Sequence, residues 1–183
     1  MNRITLLVAP FLCLVATAAL GQTGTAERRF ALPAHGNFVL QVPRDWKGEV
    51  RQSPSGLPMI AFTPGSGRPF QVIMTPVWPR TKDFPPPSRD QLRDAVEQSA
   101  RGAKPQAVEN ELPLAELQGR PGPGFYFSAT DRAPKPGEFK FLTYGIIRVG
   151  ELAVNFTILT NDGQEAVVRQ ALEALMGATQ DGV

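Results

Sequence analysis

Histidine and cysteine are almost absent: the 183-residue chain has one of each. The single cysteine, Cys13, lies inside an apolar N-terminal run, so the remainder can form no disulfide and must be held by hydrophobic burial. One histidine, His35, cannot furnish the four Cys or His ligands of a structural zinc site. A Cys–His pair is excluded from the body of the chain, and a hydrolase would have to be built on His35 and a serine. His35 precedes Gly36 at a turn, where an exposed or backbone-bonded imidazole is the simpler reading, so no catalytic residue is expected. Charge of one sign is lacking too. Nineteen Lys and Arg stand against seventeen Asp and Glu, a formal net charge of +2, without a basic cluster. That balance excludes nucleic-acid binding by phosphate neutralisation.

Other ligand signals are equally thin. Asp83, Asp90 and Asp94 lie near one another, but the last two are four apart on a predicted helix, and calcium needs six or more oxygens. The stretch 119–124 holds three glycines, yet Pro121 and Pro123 have no N–H to cradle a phosphate. No metal or other cofactor is expected. Asn155-Phe156-Thr157 is formally a glycosylation sequon, but it falls inside a predicted buried strand.

What the chain does have is an export signal. Arg3 supplies a positive start, residues 4–20 are almost wholly apolar, and Ala19-Leu20-Gly21 has small residues where a signal peptidase reads. The run falls short of the roughly 20 apolar residues of a membrane span and is interrupted by Pro10. Pro10-Phe11-Leu12 lacks the small residue of a lipoprotein signal before Cys13. The reading is a signal peptide over 1–21, a flexible leader over 22–29 and a single domain over 30–179. The expected protein is periplasmic or secreted, with no transmembrane anchor after cleavage.

Proline and glycine, 18 and 17 residues, punctuate a series of apolar runs. Phe38, Leu40 and Val42 alternate with Asn37, Val39 and Gln41, the period of a half-buried strand, closed by Pro43. A short strand over 30–33, an edge over 49–52 and strands over 57–63 and 70–77 are predicted. The last two are separated by Pro64-Gly65-Ser66-Gly67. Apolar residues on both faces of 70–77 predict a central strand covered on each side. Ser88 and Gln91 form a capping box before the stripe Leu92, Ala95, Val96 and Ala100, with Gly102 as the stop. A bent strand over 109–117, a turn over 119–124 and a strand from Phe125 to Thr130 follow. The pair 139–148 and 152–160 joins around Gly150. A second helix is capped by Asp162, buries Val168, Ala171, Leu172, Leu175 and Met176, and stops at Gly177. The fold class is α+β: a mainly antiparallel sheet of about six to seven strands flanked by two main helices, an α/β/α sandwich.

The run from Gly36 to Pro43, followed by Trp46, resembles the opening of Mog1/PsbP-like domains, where a strand ends at a proline and a tryptophan follows. The later order of helix, three strands and C-terminal helix is similar as well. The resemblance spans roughly 30–179 and implies the Mog1/PsbP-like fold. It also implies the company of photosystem accessory subunits, a nuclear transport cofactor and exported bacterial proteins of unknown role. It transfers no site residues, and fold alone says little of activity.

The leading expectation is a non-catalytic exported accessory or protein-interaction domain of the cell envelope. Trp78, Arg80, Lys82 and Phe84, in a proline-stiffened segment, are the candidate partner-binding residues, because aromatics and arginine dominate interface hot spots. In the competing reading Trp78 covers a sheet edge. The alternative function is binding of a small apolar ligand or lipid in a pocket between sheet and helix lined by Phe125, Phe127 and Phe156. A hydrolase using His35 ranks last.

Overall fold

The computed structural model describes residues 24–53, 56–78, 85–120 and 122–182. The expected signal peptide and Cys13 lie outside the described residues. Strands β1 (Thr25–Ala31), β2 (Asn37–Pro43), β3 (Trp46–Gln52), β4 (Pro58–Pro64) and β5 (Gln71–Val77) precede helix α1 (Arg89–Ala103). Then come β6 (Ala115–Gly119), β7 (Gly122–Thr130), β8 (Phe141–Val149) and β9 (Leu152–Thr160), followed by helix α2 (Glu165–Met176) and a short β10 (Thr179–Asp181).

The strands form a seven-stranded sheet, ordered β3-β4-β5-β9-β8-β7-β6, and a three-stranded sheet, ordered β1-β2-β10. Every pairing is antiparallel. Two meanders meet at the centre of the large sheet. One runs inward from β3 to β5; after α1 the other starts at the opposite edge and returns to lay β9 beside β5, with Phe156 opposite Met74.

The pleat sorts the apolar residues into two cores. Val154, Phe156 and Ile158 of β9, Val72 and Met74 of β5, and Ile60 and Phe62 of β4 project to one face. They meet Phe38, Leu40 and Val42 of β2 and Ala171, Ala174 and Leu175 of α2. Trp46 closes this core beside Phe62 and Phe70, with ring centroids 6.0 and 5.0 Å away. On the opposite face, Phe125, Phe127 and Ala129 of β7 and Ile146 of β8 lie under Leu92, Val96 and Ala100 of α1. Gly145, opposite Phe156, has no alternative: a Cβ there would run into the Phe156 ring and the Phe125 carbonyl.

Both helices pack on the large sheet, but one face carries α2 and a second small sheet together, so the layers are richer than a plain α/β/α sandwich. The stretch assigned to a flexible leader already pairs: β1 begins at Thr25, opposite Pro43, and runs along the whole of β2. Its backbone is held by the ladder, which polar side chains do not reveal. β5 is central, yet only its Val72, Met74 and Pro76 face is fully buried, while Ile73 and Val77 are half-buried, because α1 lies over β7 and β8 instead.

The capping box at Ser88 and Gln91 is present in both directions, at 3.2 and 2.8 Å. Gly102 does not stop α1. The helix runs on to Ala103 and tightens into a 3-10 turn over Lys104–Gln106, where Pro105 cannot continue it. At the second helix Asp162 is not the cap: it pairs with Lys140 Nζ at 2.8 Å, and Gln164 stands at the N-cap. No strand spans 109–114; β6 begins only at Ala115. The preceding segment is pinned instead by Glu109, which accepts from the Thr130 hydroxyl and N–H at 2.6 and 2.9 Å.

Candidate functional site

Of the four candidate interface residues, Trp78 alone lies among the described residues. Trp78 follows β5, half-buried against the main core, with its ring over His35 at 4.8 Å between centroids and 33° between planes. Arg80, Lys82 and Phe84 lie outside the described residues. His35 is held by its backbone, donating to the Leu32 carbonyl at 2.9 Å and accepting from Gln180 Nε2 at 2.9 Å. Its ring partner is thus an indole. Asp90 and Asp94 are exposed on α1, and among the described residues no group of three His, Cys, Asp or Glu is placed to hold a metal.

The proposed lining of Phe125, Phe127 and Phe156 is overturned by the pleat. Phe125 and Phe127 lie beneath α1, whereas Phe156 projects from the other face among α2 and the small sheet. All three are solid core, at most 4% exposed.

A groove between sheet and helix does exist, on the α2 face. α2 crosses from the end of β9 to the far edge, where Arg120 N–H donates to the Met176 carbonyl at 3.1 Å. Crossing obliquely, it leaves the ends of β7 and β8 uncovered. A groove of about 470 Å³ opens there. Its floor holds Ser128, Thr143, Thr160 and Phe141; its wall is Val168, Leu172 and Met176, and Glu165, Arg169 and Glu173 stand at the rim.

Register explains the floor. Ser128 of β7 opposes Thr143 of β8, which opposes Ile158 of β9, so these residues share the α2 face. The Ser128 and Thr143 hydroxyls bond each other at 2.9 Å, so the buried Thr143 oxygen is satisfied. One end of the groove is braced. The buried Gln164 accepts from Asn161 N–H at 2.8 Å and donates to the Arg68 carbonyl at 3.2 Å, while Asn161 Oδ1 accepts from Lys140 N–H at 3.1 Å. Lys140 Nζ lies 5.1 Å from the Phe141 ring centroid. The rim carries two carboxylates on either side of one cation, spaced by four along α2, so it has no strong preference for an anion.

Ser128, Phe141, Thr143 and Thr160 were not singled out in sequence. The available signal is the width of the α2 stripe: Val168, Leu172 and Met176 recur at i, i+4 and i+8 beside the fully buried Ala171, Ala174 and Leu175. The stripe is broader than β9 and β2 can cover.

An antiparallel sheet with α1 on one face and α2 and a small sheet on the other defines an α+β domain of PsbP-like fold. A solved structure with this fold is cyanobacterial PsbP (CyanoP) from Synechocystis sp. PCC 6803 in solution. It is similar over 92% of this chain and 99% of that one, with a TM-score of 0.51 and 10% sequence identity. That likeness carries the fold and no residue roles. No family model matches the chain, and no curated protein sequence does. No described helix is long and apolar enough to cross a membrane.

Proposed function

We propose that this chain is an exported, non-catalytic accessory domain of the cell envelope, and that it acts by binding the apolar part of a small ligand or lipid in the groove beside α2. One observation carries the reading: the apolar wall of Val168, Leu172 and Met176 is left open over a braced floor, in a volume of about 470 Å³. Pockets for small molecules run from roughly 300 to 1,000 Å³, mostly apolar with a few placed polar groups. The signal-like residues 1–21 support export, and the PsbP-like fold supports an accessory role. The His35 ring packs, tilted by 33°, against the Trp78 indole, which supports a packing role for it over hydrolysis.

The rim, with one Arg between two Glu, favours a neutral or zwitterionic head over a carboxylate. N-phenylnaphthylamine, an uncharged apolar dye, is therefore the probe. The native protein should enhance its fluorescence saturably. Ser128→Phe, which fills the groove from an exposed floor position, should abolish the enhancement; because it also removes the partner of the buried Thr143 hydroxyl, the thermal midpoint should fall by a few degrees while the fold, read by circular dichroism, is kept. Failure of the native protein to take up dye, or equal uptake by Ser128→Phe, would sink the proposal.

A further inference from the structure

Strand β3 is one edge of the large sheet and, among the described residues, pairs on one side only, with β4. After the buried Trp46, every residue from Lys47 to Gln52 is exposed. Val50, 57% exposed, is one of two large hydrophobic side chains in open solvent among the described residues. It lies on the face of Ile60, its partner in β4, but beyond the reach of the small sheet. Lys47, Glu49 and Arg51 project from the opposite face, where Glu49 and Arg51 form an ion pair within the strand.

Charged side chains on an edge ordinarily discourage a second strand from adding. Here their order does the reverse for one partner. A two-fold axis normal to the sheet keeps each side chain on its own face, so only residues of like parity oppose each other. Centred on Val50, such a pairing sets Glu49 against Arg51, Arg51 against Glu49, Gly48 against Gln52 and Val50 against Val50. Two intrastrand ion pairs become a square of four alternating charges on one face. The two exposed valines cover each other on the other face. Opposite charges and β-branched pairs directly across a ladder are both favourable.

Neighbouring registers fare worse. Centred on Glu49, the pairing opposes Glu49 to itself and Lys47 to Arg51; centred on Arg51, it opposes Arg51 to itself. Centred on Gly48, it matches Lys47 with Glu49 and Asp45 with Arg51, but it runs past the end of β3 into the turn at Asp45. It also spends Val50 on the buried Trp46.

We infer that β3 is a self-association edge: two copies of this chain pair antiparallel about Val50 and join their large sheets into one. The patch is small beside the roughly 1,200–2,000 Å² of a stable interface, so the dimer is a weak, concentration-dependent one.

Sedimentation velocity over a concentration series tests this. The protein should shift from monomer to dimer as concentration rises toward about 1 mM, the weak end of measurable association. Val50→Lys should raise the dissociation constant at least about tenfold. Glu49→Arg and Arg51→Glu should each be monomeric alone, since each puts like charges across the axis. Mixed together they should form a heterodimer, because the two adjacent cations of the Glu49→Arg strand then face the two carboxylates of the Arg51→Glu strand. The Gly48 register gives no such rescue. A Val50→Cys variant in a Cys13→Ser background should oxidise to a covalent dimer. A monomer at all concentrations, or a dimer indifferent to Val50→Lys and to the charge exchange, overturns the inference.

Discussion

Leu172 and Leu175 are three residues apart on one helix, yet truncating them should have unequal effects. Leu175 is 0% exposed, inside the main core with Ala171, Ala174 and the β9 stripe. Leu175→Ala removes apolar groups worth about 0.8 kcal/mol per buried CH2, roughly 2.4 kcal/mol in all. A residual cavity adds about 24 cal/mol per Å³ that the surroundings cannot close. The expected loss is therefore about 3–4 kcal/mol. Leu172 is half-buried, with one side facing the groove, so part of its surface is wet already and truncation enlarges an open space rather than sealing a void. Its loss should be near 1–1.5 kcal/mol on the same scale. Urea unfolding followed by far-UV circular dichroism separates the two. Thermal midpoints should fall by roughly 6–16 °C for Leu175→Ala and by about 2–6 °C for Leu172→Ala, at 2–4 °C per kcal/mol for a chain of this size. Equal losses at the two positions, or a larger one at Leu172, would mean that α2 closes down on β7 and β8 and that no groove exists in solution.

Trp78→Ala should cost about 1.5–3 kcal/mol, short of the roughly 3–5 of a fully buried large aromatic, because the ring is half-buried and packs, tilted, against His35. A loss below about 0.5 kcal/mol in thermal melts would show the indole to be merely exposed and return it to the candidate interface residues. Glu109 predicts a pH effect: burial pushes its carboxyl up, but the Thr130 hydroxyl and N–H outweigh it and hold the group below its ordinary value of 4.5. The unfolded chain takes up this proton first. The stabilisation is whole above the ordinary glutamate range and is lost as pH falls through the lowered folded value. Glu109→Gln should therefore show a shallower stability decline than the native protein below pH 4.5, and parallel curves would exclude the linkage.

Much of the architecture was legible wherever one strand or helix carried its own punctuation. β9 alternates cleanly and ends at the turn after Thr160, β2 keeps the Phe38, Leu40, Val42 period up to Pro43 although Val39 is buried too, and Ser88 with Gln91 marks the start of α1 through bonds made within four residues. Local signals failed where a distant partner decides. Residues 25–29 are polar and carry no strand period worth the name, yet β2 offers them a ladder. Thr179–Asp181 becomes a strand by pairing with the same β2 from the far end of the chain. Asp162 has the sequence of a cap, but Lys140, brought alongside by the β8–β9 pairing, takes its carboxylate.

The site divides in the same way. By itself the sequence determined the apolar character of the α2 stripe, the alternation that puts Phe125 and Phe127 on one face of β7, and the scarcity of His and Cys that rules out a Cys–His pair in the body of the chain. Only the tertiary structure decided that Phe156 faces the other way from Phe125 and that Val168, Leu172 and Met176 overhang the open ends of β7 and β8. The physical reason is geometric. Periodicity fixes which side chains share a face of one element, whereas the strand order β5-β9-β8-β7-β6 and the oblique course of α2 fix which faces are covered. A groove is what remains where a stripe is wider than its cover, and that width is set by pairings between residues far apart in the chain.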